Sequence, residues 1–133
     1  MRIEHFALQV ADPAAMADWY VRHLGFRIAR AGGAPVHARF LLEHRGAVML
    51  ELYRNPRVTV PDYAAMDPLH LHLAFVSENP ASDCERLARA GARVVEPPAA
   101  TPAGDVIAML RDPWGLCVQL VQRASPLLKT DPA

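Results

Sequence analysis

No apolar run of 18 or more residues occurs in this chain of 133 residues, so no segment has the apolar length that spans a bilayer. An excess of one charge is missing too: 14 basic residues stand against 14 acidic ones. That balance argues against bulk electrostatic partners, so neither nucleic acid nor an anionic membrane surface is expected. Cysteine is scarce. Cys84 and Cys117 form no CxxC, which removes the signal for a zinc ribbon or a redox motif. Both are expected to be free thiols with packing roles. Gly32-Gly33 is a lone pair and reads as a turn, not a phosphate loop. No motif for coenzyme A, glutathione or phosphate stands out. The opening Met1-Arg2-Ile3-Glu4-His5 lacks the layout of a signal peptide, so a cytoplasmic location is expected. The length suits one domain with a real core.

What is present is alternation. Residues 2–10 read as a strand, with Ile3, His5, Ala7 and Gln9 on one face and Phe6, Leu8 and Val10 on the other. Asp12-Pro13 starts a helix, since Asp caps and Pro is tolerated in the first turn. Met16, Trp19, Tyr20 and Leu24 form its apolar stripe, and Gly25 ends it. Strands are expected over 26–31, 36–43 and 47–53. In the last, Met49, Glu51 and Tyr53 share a face opposite Val48, Leu50 and Leu52. A carboxylate inside a strand needs a reason, because burying an unpaired charge is costly. Residues 54–69, with Pro56, Pro61 and Pro68, read as a connection long enough to be a linker, a lid or both.

The order then repeats. Residues 70–76 read as a strand, with His70, His72 and Ala74 on one face. Asn79-Pro80 opens a helix carrying Cys84, Leu87 and Ala88, and Gly91 closes it. Strands are expected over 92–96, 105–111 and 116–122. Pro97-Pro98 and Thr101-Pro102-Ala103-Gly104 read as a loop, and Asp112-Pro113-Trp114-Gly115 as a turn. The tail from Arg123 reads as an exposed extension. His5 and His72 lie 67 residues apart, as do Asp12-Pro13 and Asn79-Pro80. Gly25 to Gly91 and Leu50-Glu51-Leu52 to Val118-Gln119-Leu120 keep that offset within one residue. The chain is a βαβββ unit written twice. If each unit sets its first strand beside its fourth, His5 neighbours Glu51 and His72 neighbours Gln119. Two units closing on each other would then gather four polar groups in one cavity.

These residues carry a resemblance. His5 in the opening strand, Trp19-Tyr20 with Leu24-Gly25-Phe26, Glu51 ending the first unit, His72 opening the second, and Asp112-Pro113-Trp114-Gly115 together resemble the vicinal oxygen chelate superfamily. That group includes glyoxalase I, methylmalonyl-CoA epimerase, extradiol dioxygenases and bleomycin-binding proteins. The resemblance covers roughly residues 1–123. It implies an α+β domain of two βαβββ modules, 1–53 and 70–123, with mixed sheets forming an open barrel-like cavity. Residues 54–69 would be the linker and 124–133 a C-terminal tail. It also implies one divalent metal per site, zinc, nickel, cobalt, manganese or iron, held by His5, Glu51, His72 and Gln119. Such a metal would polarise two vicinal substrate oxygens and stabilise an enediolate or enolate.

The set departs from glyoxalase-like members at Gln119, where Glu is usual. An amide takes no proton at neutral pH, so Glu51 is the expected base. His70 competes with His72 if the register slips by two, but aligning Ala7 with Ala74 favours His72. Glu51 has an alternative as a buried partner of Arg39, and Gln119 as a hydrogen-bonded wall residue. Tyr53 and Arg39 are the substrate-binding candidates. His23, His37 and His44 have no repeat partner and are expected to be solvated. The leading function is a metal-dependent lyase or isomerase acting on a small oxygenated molecule. A metal-free small-molecule binder is the alternative, and an extradiol-dioxygenase-like enzyme ranks third. The resemblance implies a homodimer.

Overall fold

The structure is a computed structural model in which residues 1–128 are described. It is α+β, with two helices and two four-stranded mixed sheets. The chain divides into two compact units, Met1–Pro61 and Asp62–Ala133. The first holds β1 (His5–Gln9), α1 (Pro13–Leu24), β2 (Arg27–Ala31), β3 (Arg39–Leu42) and β4 (Met49–Tyr53). After a 3₁₀ turn at Tyr63–Ala65, the second holds β5 (Leu73–Val76), α2 (Pro80–Arg89), β6 (Arg93–Ala100), β7 (Val106–Arg111) and β8 (Cys117–Gln122). The sheet orders are β1-β4-β3-β2 and β5-β8-β7-β6. In both, the first strand pairs parallel with the last and the remaining pairs are antiparallel. The repeat read from the sequence is thus a repeat of topology.

Local chemistry sets the helix ends. Asp12 accepts from the Ala15 amide, and Asn79 accepts from the Ser82 amide, each with Pro in the following position. Gly25 stops α1 in the left-handed conformation, φ 75°. Helix α1 buries Met16, Ala17 and Tyr20 against a sheet face made by Leu8, Val10, Leu41, Leu50 and Leu52. Each large apolar side chain so removed from water contributes roughly 1.5–3 kcal/mol. Trp19 and Leu24 flank this stripe half-buried. In the second unit Cys84 and Leu87 of α2 are buried, as are Ala108, Leu110, Val118 and Leu120 of the sheet. Both cysteines are free and buried. Burial pushes each thiol up from its ordinary value; a neighbouring Asp83 adds to this at Cys84, while Arg111 opposes it at Cys117.

Three expected elements differ. The strand expected over 36–43 is confined to Arg39–Leu42. His37 has a positive φ of 51° and donates its amide to Gly33 O at 2.8 Å, so the chain is still turning there. The strand expected from residue 70 begins at Leu73. Asp67 accepts from the Leu69 amide through its side chain and from the His70 amide through its carbonyl, which places His70 in a turn. Strand β6 runs through Pro97-Pro98, which had read as loop. It is an edge strand with register shifts around Glu96, where a missing N–H is tolerated. The start of the tail is tied down, not extended. Arg123 forms an ion pair with Asp105 at 2.7 Å, and the Ala124 amide donates to the same carboxylate. These donors hold the Asp105 carboxyl below its ordinary range: the Ala124 amide has the largest effect and Arg123 follows. The remainder of the tail beyond residue 128 lies outside the described residues.

Candidate functional site

The site is built on the face of the first sheet turned away from α1. In the parallel ladder His5 pairs with Met49 and Ala7 with Glu51. One diagonal step therefore sets His5 beside Glu51, and its Nε2 lies 3.4 Å from Glu51 Oε2. The histidine side chain is 39% exposed and the carboxylate 20%. The Glu51 carboxylate, half-buried among strands, thus has an imidazole partner, which the cost of an isolated charge required.

Phe40 pairs with Glu51 across β3 and so shares its face. Its ring meets the His5 ring edge to face, centroids 5.9 Å apart. Arg30 pairs with Phe40 from β2 and holds its guanidinium carbon 5.9 Å from the Phe40 centroid. The other His5 nitrogen, Nδ1, contacts the carboxylate of Glu4. That contact raises the imidazole above its ordinary value; partial burial opposes the rise, and the charges of Glu4 and Glu51 add to it.

The second unit repeats the register. Ala74 pairs with Gln119, so His72 precedes its strand by the same step that His5 takes before Ala7. This separates His72 from His70 as the counterpart of His5. His72 Nδ1 lies 2.8 Å from Pro68 O. A carbonyl only accepts, so Nδ1 carries a hydrogen, and in the neutral tautomer Nε2 is the nitrogen with the lone pair. Gln119 is half-buried on β8, its Nε2 3.7 Å from Met109 Sδ.

Tyr53 lies on the Glu51 face, opposite Gln9 in the ladder. Gln9, only 8% exposed, donates to Asn55 O and Val58 O and accepts from the Asn55 amide. Arg39 pairs with Leu52 and so belongs to the opposite parity. Its Nη1 donates to the carbonyls of Gly32, His37 and Ala38. The structure therefore sets Glu51 beside His5, while the Arg39 guanidinium, from the start of β3, bonds to carbonyls of the preceding loop. His44 is 79% exposed, whereas His23 lies against Trp19, the rings tilted with centroids 5.2 Å apart.

Phe40, Arg30 and Glu4 are the residues that sequence reasoning missed. Phe40 and Arg30 become visible only through strand pairing. Glu4 stood next to His5, but strand parity assigned it to the other face. Within each unit, among the described residues, no three His, Cys, Asp or Glu side chains gather as a metal-binding group. Among the described residues, no helix is long and apolar enough to cross a membrane.

The model of the Glyoxalase/Bleomycin resistance protein/Dioxygenase superfamily matches residues 2–120. The chain belongs to that superfamily. Among curated superfamily relatives, lactoylglutathione lyase from Escherichia coli O157:H7 is 27% identical over 129 residues, covering 92% of this chain and 93% of that one. Among solved structures, a variant of glyoxalase I from Zea mays aligns with a TM-score of 0.74 at 25% identity, covering 93% of this chain and 46% of that one. TnmS3, an antibiotic binding protein from Streptomyces sp. CB03234, aligns with a TM-score of 0.72 at 24% identity, covering 93% and 97%. At that identity the last likeness is one of fold alone. The superfamily fold thus carries both an enzyme and a binding protein among these relatives, and the reaction has to be argued from the site.

Proposed function

We propose that this superfamily member is a divalent-metal-dependent lyase or isomerase that removes a proton next to a carbonyl in a small oxygenated substrate. The observation that carries the reading is the His5 Nε2–Glu51 Oε2 separation of 3.4 Å. At that separation an imidazole nitrogen and a carboxylate oxygen could both ligate one divalent cation. The donor chemistry fits as well: His5, Glu51, His72 and Gln119 give two imidazoles, a carboxylate and an amide oxygen, which suit zinc, nickel, cobalt, manganese or ferrous iron. Bound there, the ion supplies Lewis-acid polarisation of vicinal substrate oxygens.

The chain's own residues supply the rest. Glu51 is the carboxylate of the set and takes the substrate proton. Gln119 takes no proton and serves as a ligand. Phe40 walls the face beside His5, and Tyr53 lines it beside Glu51. The relative's name makes lactoylglutathione the substrate to try first. Its lactoyl carbon stands next to a thioester carbonyl, so exchange of that hydrogen in deuterated buffer reads the proposed step directly. Glu51→Gln is expected to abolish exchange.

Elemental analysis and zinc titration of the purified chain test the site itself. About one equivalent per chain, lost in His5→Ala and in His72→Ala, is expected. Less than roughly a tenth of an equivalent, with no uptake on titration, overturns the reading. The second reading, a metal-free small-molecule binder, is favoured by the amide at Gln119. The assembly that goes with the leading reading is a homodimer, and a monomer by light scattering contradicts it.

A further inference from the structure

We propose that Glu4 is a positioning residue. Its carboxylate holds the Nδ1–H of His5 and so commits Nε2 to the face shared with Glu51. The inference rests on the proposed metal site and adds a residue to it.

The argument is one of donors and acceptors. Glu4 contacts Nδ1 and Glu51 faces Nε2, 3.4 Å away. A neutral imidazole has one donor and one acceptor nitrogen. Left between two carboxylates, it could give its hydrogen to either. If Nε2 carried the hydrogen, it would point at Glu51 and no lone pair would remain there for a cation. Glu4 meets Nδ1 as a hydrogen-bond partner whereas Glu51 faces Nε2 at ion-pair distance, so the hydrogen is assigned to Nδ1. The second repeat reaches the same state by other means: Pro68 O takes the Nδ1–H of His72. The two histidines therefore present the same nitrogen, one held by a side chain and the other by a backbone carbonyl.

The position of Glu4 is itself determined by the sheet. Its carbonyl accepts from the Met49 amide at 3.0 Å, immediately before β1 begins. That bond anchors the Glu4 backbone on β4, one residue from the imidazole it holds. Phe40 bounds the ring from the side, edge to face. The His5 ring is thus held at Nδ1 and along one edge.

The test uses Glu4→Ala and Glu4→Gln in the full chain, with nitrogen-15 imidazole spectra and zinc titration as separate readouts. In metal-free protein, at a pH where the ring is neutral, the wild type is expected to hold the Nδ1–H form of His5. Glu4→Ala is expected to populate both forms. Glu4→Gln keeps an acceptor oxygen and is expected to restore the Nδ1–H form. Zinc affinity is expected to fall about tenfold in Glu4→Ala, as for other carboxylates behind a ligating histidine, and less in Glu4→Gln. An unchanged tautomer population in Glu4→Ala overturns the proposal whether or not zinc binds. The expected tautomer change in Glu4→Ala, together with a wild type that binds no zinc, leaves the role of Glu4 standing and overturns the metal site instead.

Discussion

Replacing Gly115 with alanine tests how tightly the Asp112-Pro113-Trp114-Gly115 turn is docked. Gly115 has φ 87°, and an added Cβ would stand 2.7 Å from Ala64 Cβ, 2.8 Å from Ala64 N and 2.9 Å from Ala64 Cα. Ala64 cannot easily withdraw. It sits in the 3₁₀ turn Tyr63–Ala65, whose flanking carbonyls are clamped by the buried Arg111: Nη1 donates to Tyr63 O at 2.9 Å and Nη2 to Met66 O at 2.7 Å. The same Nη1 reaches Gly115 O at 3.0 Å, so clamp and clash share one scaffold. The left-handed backbone costs an alanine about 1–2 kcal/mol. Overpacking against backbone adds roughly 1–3 kcal/mol. Reduced freedom of the unfolded chain returns about 0.4–1 kcal/mol. The net loss expected is about 2–4 kcal/mol. Gly25→Ala is the control, because Gly25 has φ 75° but nothing within 4 Å of its built Cβ. It should lose only about 1 kcal/mol. Urea unfolding monitored by tryptophan fluorescence compares the two; with a slope of about 1–3 kcal/mol per molar, their midpoints should differ by roughly 1 M. Ala64→Gly in the Gly115→Ala background should restore little, since two of the three close contacts are to backbone atoms. Equal midpoints for Gly115→Ala and Gly25→Ala would refute the packing argument.

Other outcomes follow from the same kind of accounting. Arg111→Met should cost about 3–5 kcal/mol, because the carbonyls of Tyr63, Met66 and Gly115 lose a charged donor; a drop in thermal midpoint measures it, and an unchanged midpoint contradicts the clamp. Gln9→Leu should speed hydrogen exchange at the Asn55 amide and cost about 1–3 kcal/mol, since that amide and the carbonyls of Asn55 and Val58 lose their partner. For Asp83, burial alone would raise the carboxyl, but hydrogen bonds from Ser77 Oγ and Arg86 outweigh it and hold it below its ordinary value of 3.8. A carboxyl lowered on folding stabilises at neutral pH, and that stability drains away as pH falls through and below its ordinary value. Asp83→Asn should therefore flatten the acid limb of a stability–pH curve, and an unchanged limb counts against the assignment.

Most of the architecture was legible because its signals are local. Asp12-Pro13 and Asn79-Pro80 state their helix starts in the sequence, and the near-constant offset between halves exposes the repeat. The parity of Leu50 and Leu52 against Glu51 likewise names the buried face without a structure. What was not legible depends on pairing. Nothing in Arg39-Phe40 says which of the two shares a face with Glu51; the β3–β4 register decides for Phe40. His70 and His72 differ by one strand period; the Ala7–Ala74 alignment favours His72, and the Ala74–Gln119 pairing and the Asp67 turn separate the two in the structure. The proline pair at 97–98 misled because the same residues mark a loop or an edge strand, and sheet order is not written locally. Glu4 was hidden by parity, since a side chain just outside the first strand residue is not bound by alternation.

The Gln9 and Arg111 anchors have a bearing on how the chain can be re-engineered. Gln9 staples Asn55 and Val58 to the first unit, and Arg111 staples Tyr63 and Met66 to the second. Asp62 is already taken up as the cap of the 3₁₀ turn. The apparently long connection therefore reduces to Thr59-Val60-Pro61, the stretch that neither staple touches. A chain cut or extended by insertion at Thr59–Pro61 keeps both staples, which makes this the stretch where a nick or an inserted segment costs each unit least.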